Sequence, residues 1–239
     1  DKDLMNIQEE NENDKDLMNI QEENENDKDL MKIHEENSMT KNDDNESLLI
    51  NEYISSNKAK KLMEYLNDNC EKEYISFIFD QCWRQSKDFY VNLCKEGILI
   101  NNAIAHHKYA ASLIFDSNEY DDAKYHLEES IKQGFTLSYF LYARLCYSIF
   151  NDSNAAFVSA QEGANRNEKY SKCLLGYFIA HGIGTKKDFE KGVEIMLNSD
   201  AEDYYEKFAT DYGFYFFTIK KEEDKAFYWF EKAYNMKKT

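Results

Sequence analysis

The chain has 239 residues, of which 42% are hydrophobic, and its 46 acidic and 29 basic side chains give a formal net charge of −17. This length predicts one globular domain, with or without a tail. The charge argues against a nucleic-acid partner, because no basic stripe is present to meet a phosphate backbone. No membrane segment is predicted either, since no run approaches the roughly 18 apolar residues that a spanning helix requires.

Residues 1–46 form a strongly acidic segment with 17 acidic and 5 basic side chains. A 13-residue unit, "DKDLMNIQEENEN", occupies residues 1–13, is repeated identically at 14–26 and returns as "DKDLMKIHEENSM" at 27–39. Since 13 residues turn a helix about 220° beyond whole turns, the small apolar clusters cannot line up as a coiled-coil seam. We therefore predict a disordered spacer; a linear motif displayed three times, with a gain in avidity, is the alternative.

Residues 47–239 are predicted to form the folded domain, because small residues recur there about every 34 residues, as in helical repeats. The small residues that open the second helix of each pair are Ala123, Ala156, Gly192 and Ala226. The small residues that let the first helix approach its partner are Ala111, Ala143, Gly176 and Gly213. Eleven residues after the small residues that open the second helices, and after Val91 one step earlier, stand Asn102, Gly134, Asn167, Asp203 and Lys237, of which the Gly, Asn and Asp residues are types that end helices or form turns. We predict an all-α fold, a right-handed superhelical solenoid of antiparallel helix pairs.

The stretch "CLLGYFIAHGIGTKKDFEKGVEIML" resembles a Sel-one-like repeat, a branch of the tetratricopeptide-like helical-repeat superfamily. That family's pattern is Leu-Gly, then a Tyr-like residue, then Gly-x-Gly and Asp-x-x-Lys-Ala. The corresponding residues of this chain are Leu175, Gly176, Ile179, Gly182, Gly184, Asp188, Lys191 and Gly192. The last repeat matches Lys-Ala-x-x-Trp-x-x-Lys-Ala with Lys225, Ala226, Trp229, Lys232 and Ala233. The resemblance covers residues 71–239 and implies a scaffold or adaptor for other proteins.

Three closely spaced glycines, Gly176, Gly182 and Gly184, raise the question of a phosphate-binding loop. Such a loop needs a strand before the glycines, a helix after them and a Lys-Ser/Thr ending. Here a helical pattern precedes the glycines, and that ending is missing. We predict that Gly176 permits a close helix contact and that Gly182 and Gly184 turn the chain.

Side chains capable of catalysis or metal binding form no recognisable site. The adjacent His106 and His107 point about 100° apart on a helix and cannot share a metal ion. Cys173 and His181 would lie about 12 Å apart along a helix, too far for a nucleophile and its base. Neither an HExxH nor a Gly-x-Ser-x-Gly motif occurs. We predict no enzyme activity, no cofactor and no metal.

The cysteines indicate the compartment. They are odd in number, include no CxxC pair, and lie within helix-like apolar patterns: Cys70, Cys82, Cys94, Cys146 and Cys173. Buried, reduced thiols explain this usage better than disulfides or a zinc site. Together with the lack of a visible signal peptide, they predict a cytoplasmic location.

In tetratricopeptide-like proteins the first helices line a concave groove, where a partner peptide is expected to bind. Counting from the small packing residues, the predicted groove positions are Lys108, Ser112, Arg144, Tyr147, Tyr170, Tyr177 and His181. Arg144 is one of only three arginines and interrupts the apolar run "YFLYARLCYSIF". It is either an anchor for an acidic or C-terminal carboxylate group, or a structural arginine paired with a carboxylate.

A second function remains open: a regulatory interaction module appended to an enzyme, such as a protein kinase, encoded upstream of residue 1. The sequence begins without Met and with a linker-like segment, which is the reason for this alternative.

The last helix, predicted over residues 222–237, carries more apolar surface than one neighbouring helix can cover. Its apolar side chains include Phe227, Trp229, Phe230, Tyr234 and Met236. Because solenoids normally end in a polar cap, we expect self-association through this helix, or further C-terminal repeats.

Overall fold

The computed structural model describes residues 51, 53–201 and 208–236, and within them every regular element is a helix. The α-helices are α1 Ala59–Asn69, α2 Lys72–Gln85, α3 Lys87–Leu99, α4 Ala103–Ser112, α5 Tyr120–Lys132, α6 Leu137–Ser148, α7 Ser153–Asn165, α8 Lys169–His181, α9 Phe189–Leu197, α10 Ala209–Tyr215 and α11 Glu223–Met236. Five-residue π-helical turns, Leu113–Ser117 and Phe216–Lys220, continue α4 and α10. The all-α prediction is confirmed, while the acidic repeats of residues 1–46 lie outside the described residues.

Polar side chains start several of the helices. Asn102 Oδ1 accepts hydrogen bonds from the backbone N–H groups of Ile104 and Ala105, both at 3.0 Å. Asp188 Oδ1 accepts one from the N–H of Lys191 at 3.2 Å. Each such cap satisfies N–H groups that have no partner inside the helix and contributes about 1 kcal/mol. Asn102, predicted to end a helix, therefore begins one.

Left-handed residues end most of the helices. The residues with positive φ at helix ends are Asn57, Asn101, Asn118, Gly134, Asn151, Asn167, Gly182, Asp200 and Lys221. Seven of these nine are Asn or Gly, the types that adopt this conformation at least cost. The predicted helix ends at Gly134 and Asn167 are confirmed, and Asn101 takes the place predicted for Asn102. Asp203 and Lys237 lie outside the described residues.

Helices that are neighbours in the chain pack against each other. From α4 onward the contacts run α4 with α5, α6 with α7, α8 with α9 and α10 with α11, and each pair also contacts the next. In addition α6 contacts α8, and at the N-terminal end α3 contacts α1, α2 and α4. Three apolar clusters result: one in α1–α4, one in α4–α6 and one from α6 to α10.

The predicted small packing residues are buried with one exception. Ala123, Ala143 and Ala156 are fully buried, as expected. In α4, however, Ala110 is fully buried while Ala111 is only half-buried. Because Ala110 and Ala143 are 33 residues apart, the buried alanine keeps the same interval as Ala143 and Gly176. The packing position in α4 is therefore one residue earlier than predicted.

The glycine-rich stretch joins two helices. It leaves α8, turns through Gly182 with φ 78° and Gly184 with φ 65°, and enters α9. At Gly176 a Cβ would lie 2.7 Å from the carbonyl oxygen of Gly192, so the backbones of α8 and α9 touch there. The prediction of a packing and turn role for these glycines is confirmed.

The last described helix leaves aromatic side chains on the surface. In α11, Phe227 is 69% and Tyr234 is 60% exposed. Trp229 and Phe230 are half-buried against α10, where the Trp229 ring centroid lies 4.8 Å from that of Tyr212. The apolar surface predicted for this helix is thus present.

No helix within the described ranges is long and apolar enough to cross a bilayer.

Candidate interaction site

A shallow, partly open cleft with a cavity volume of about 10 Å³ lies between α6 and the π-helical turn that continues α4. Its lining is apolar apart from one guanidinium: Ile114, Phe115, Leu141, Arg144 and Leu145. Its composition, apolar with one charged group, is that of ligand-binding sites, although such pockets are usually far larger, about 300–1,000 Å³. The cleft is thus a shallow apolar indentation with the Arg144 guanidinium at one side, not an enclosed pocket.

Arg144 is largely buried, with 8% of its surface exposed. Its Cζ atom lies 5.6 Å from the centroid of the Phe140 ring, one turn earlier on α6, a cation–π geometry. It also makes additional polar or ring interactions, so its charge is not isolated. The side chain is held in place by packing and also lines the cleft.

Aromatic rings connect most of the predicted groove residues between α6 and α8. The Tyr170 ring packs on Phe140 with centroids 5.6 Å apart, and the Tyr147 ring packs on Phe178 at 5.5 Å. Tyr177 in turn contacts Phe178 at 6.2 Å. Tyr170 and Tyr177 are only 4% and 5% exposed, whereas Tyr147 is half-buried. The structure thus places the three tyrosines in or against one apolar cluster, where Tyr147 and Tyr177 share Phe178 as a neighbour and Tyr170 packs on Phe140.

His181, the last residue of α8, is the remaining predicted groove residue on this helix. Its ring stacks on Tyr177 with centroids 4.5 Å apart, and its Nε2 lies 3.0 Å from Asp211 Oδ2 on α10. The imidazole side chain is 34% exposed. Of the predicted groove residues, His181 is the most accessible.

Lys108 and Ser112 lie apart from the other five predicted positions. Lys108 Nζ forms an ion pair with Asp80 on α2, and both side chains are nearly buried. Ser112 Oγ donates to Asp116 Oδ2 at 3.2 Å, within the extension of α4. Asp116 also forms an ion pair with Lys87 on α3, with Nζ and Oδ1 3.0 Å apart. Lys108 therefore links α4 to α2, whereas Ser112 bonds only within the extension of α4, whose Asp116 is the partner of Lys87 on α3.

The cysteines are poorly suited to nucleophilic chemistry. All five thiols are free, and Cys82, Cys94, Cys146 and Cys173 are buried. Burial raises the pKa of Cys82 to about 12 and that of Cys146 to about 11. Since the thiolate is the reactive form, these groups are inert near neutral pH. Within the described ranges, no three His, Cys, Asp or Glu side chains come close enough together to hold a metal ion.

Sequence reasoning missed the apolar lining of the cleft and the partner of Lys108. Ile114, Phe115, Leu141 and Leu145 look like ordinary core positions in the sequence. Asp80 did leave a trace, because it interrupts the apolar run "ISFIFDQCW". A buried acidic side chain in such a run calls for a basic partner.

The chain was also compared with known proteins. No protein-family model matches it, and no curated protein matches it either.

Proposed function

We propose that this chain is a protein-interaction scaffold of the Sel-one-like type, which binds a segment of a partner protein at the Arg144 cleft. The observation that carries the proposal is the cleft itself, with a single guanidinium among four apolar side chains. Such a lining suits a partner segment that offers an apolar side chain beside a carboxylate. That carboxylate is either a C-terminus or an acidic residue.

The proposed architecture is a right-handed superhelical solenoid of antiparallel helix pairs. Packing between chain neighbours supports it, as does the recurrence of buried small residues at Ala110, Ala143 and Gly176. In a solenoid each repeat contacts its neighbours, so the first helices form a continuous surface on which an extended partner can lie. Of the predicted positions on that surface, the half-buried Tyr147 and the exposed His181 are the accessible ones in α6 and α8.

In this role the chain needs no catalytic residue, cofactor or nucleic acid. The partner is a protein, and the proposed location is the cytoplasm, where reduced buried thiols such as Cys82 and Cys146 persist.

Arg144→Ala is expected to weaken partner binding by about 1–3 kcal/mol, the range of interface hot-spot residues. The reason is the loss of a charge-assisted hydrogen bond to the partner's carboxylate. A partner is first captured with the full chain as bait and identified by mass spectrometry. Isothermal titration calorimetry with that partner then gives the affinity of each variant.

Arg84→Gln serves as the matched control, because Arg84 is exposed on α2. This variant should bind as the unmodified chain does, and Arg144→Lys should lie between the two because it keeps the charge but not the planar fork. Unchanged binding by Arg144→Ala would refute the anchor role. Loss of helical circular dichroism in that variant would make Arg144 structural instead.

We also propose that the exposed face of α11 supports self-association. Replacing Phe227 and Tyr234 together by Ser removes the two most exposed aromatic rings of that helix. Light scattering should show a mass that rises with concentration for the unmodified chain and stays monomeric for the double variant, because apolar burial drives such contacts. Val158→Ser, at a residue 56% exposed on α7, is the control and should associate normally. A chain that stays monomeric at high concentration would contradict the proposal.

A further inference from the structure

Two histidines that are 20 residues apart in the sequence meet between α4 and α5. The Nδ1 atoms of His106 and His126 lie 2.9 Å apart, and the ring centroids are separated by 5.1 Å. His106 is 4% exposed, and His126 is half-buried. Two ring nitrogens facing each other form a hydrogen bond only if one carries a proton and the other offers a lone pair. The contact therefore requires that one of the two Nδ1 atoms stay unprotonated.

The surroundings of the pair are largely aromatic. The rings of Tyr109 and Tyr125 pack edge-on against His126, with centroids at 5.0 and 5.2 Å. Burial lowers the pKa of His106, and burial followed by the charge of His106 lowers the pKa of His126. The environment thus favours the uncharged imidazoles.

Charged groups around the pair only partly oppose this effect. The carboxylates that act on it are Glu129 and Asp122, both from α5, and Glu129 is itself paired with Lys132 at 2.5 Å. On α3, Cys94 lies near Tyr109. The pKa of the Tyr109 phenol is raised mainly by burial, next by the charge of Glu119 and then by Cys94. From α6, Ser138 is bonded to His107 at 2.9 Å. Neither of these groups offers a charge that would stabilise a second proton on the pair.

We propose that the His106–His126 pair makes the attachment of α4 to α5 sensitive to mildly acidic pH. A first proton can be shared across the contact, because one nitrogen still accepts. A second proton removes the acceptor and places two imidazolium rings side by side in a buried site, which favours separation. Since α4 continues into Ile114 and Phe115, the same event would also loosen one wall of the cleft.

The direction of the pH effect follows from the lowered pKa values. In the unfolded chain each imidazole titrates near a pKa of about 6.5. The folded pair takes up protons only at lower pH, so below that value the unfolded chain binds more of them. The stabilisation is therefore complete above about pH 6.5, the pKa in the unfolded chain. It is lost as the pH falls from there towards the lower pKa of the folded pair.

The test compares urea unfolding of the full chain at about pH 7.5 and about pH 5.5. Each proton bound only by the unfolded chain raises the unfolding equilibrium constant by up to about tenfold per pH unit, so a rise of roughly tenfold or more is expected. In His126→Asn one of the two titrating imidazoles is removed while burial still acts on His106, so the rise should be smaller than in the unmodified chain, by up to about tenfold. His181→Asn, at the exposed site beside Asp211, is the control and should keep the full rise. An unchanged rise in His126→Asn would overturn the proposal.

Nuclear magnetic resonance of the imidazole rings gives a second readout on the unmodified chain, which does not depend on whether a variant folds. The two histidines should titrate in coupled steps that begin below the ordinary histidine range. Two independent titrations near a pKa of about 6.5 would overturn the proposal.

Discussion

Gly192→Ala is expected to destabilise the fold by about 3 kcal/mol, the upper end of the usual range for overpacked cores. A Cβ at this position would lie 2.4 Å from the backbone nitrogen of Ala180 and 2.5 Å from the carbonyl oxygen of Gly176. Both are backbone atoms, so no side-chain rotation can relieve the contact, and α9 must move away from α8. Urea unfolding followed by circular dichroism measures the change in the free energy of unfolding.

The sign of this effect makes the experiment decisive. Helix propensity alone predicts the opposite result, because alanine stabilises a helix interior by about 0.5–1 kcal/mol relative to glycine. Lys191→Ala, at the exposed neighbouring position, is the control and should change stability by no more than about 0.5 kcal/mol. A more stable Gly192→Ala variant would mean that α8 and α9 do not approach as closely as described.

This close approach also explains why the helix pairing could be predicted from the sequence. Only Gly or Ala fits where two helix backbones touch, so Gly176, Gly192 and Ala143 mark the contacts directly. In α4 the sequence offers two adjacent alanines, Ala110 and Ala111, and propensity does not distinguish them. Burial decides for Ala110, because the apolar cluster of α4–α6 lies on its side of the helix.

The candidate site was less predictable, because its geometry depends on contacts distant in the sequence. Arg144 stands out locally as an arginine within an apolar run, and it does line the cleft. Nothing near Lys108 reveals that it pairs with Asp80, which lies 28 residues earlier. That pairing requires α2 to pack against α4, and it depends on the tertiary arrangement of the first four helices rather than on any local pattern.

Lys108→Met is expected to cost about 3–5 kcal/mol, as is usual when one partner of a buried ion pair is removed. The side chains of Lys108 and Asp80 are only 12% and 11% exposed. The other carboxylate oxygen of Asp80, Oδ2, is buried and has no hydrogen-bond partner among the described residues. Because methionine fills a similar volume to lysine, the loss of stability reports the cost of leaving the Asp80 carboxylate without its charged partner. Urea unfolding at neutral pH gives the change in stability.

Two further variants separate charge from packing. Lys87→Met removes a lysine that is 60% exposed and paired with Asp116, so it should cost at most about 1 kcal/mol. The double variant Asp80→Leu, Lys108→Met leaves no buried charge and should recover most of the stability lost in Lys108→Met, since an apolar replacement of a buried ion pair is often neutral. If Lys108→Met costs no more than Lys87→Met, the buried pair is not what holds α2 to α4. In that case Lys108 becomes available as a binding residue, as its position on a first helix predicts.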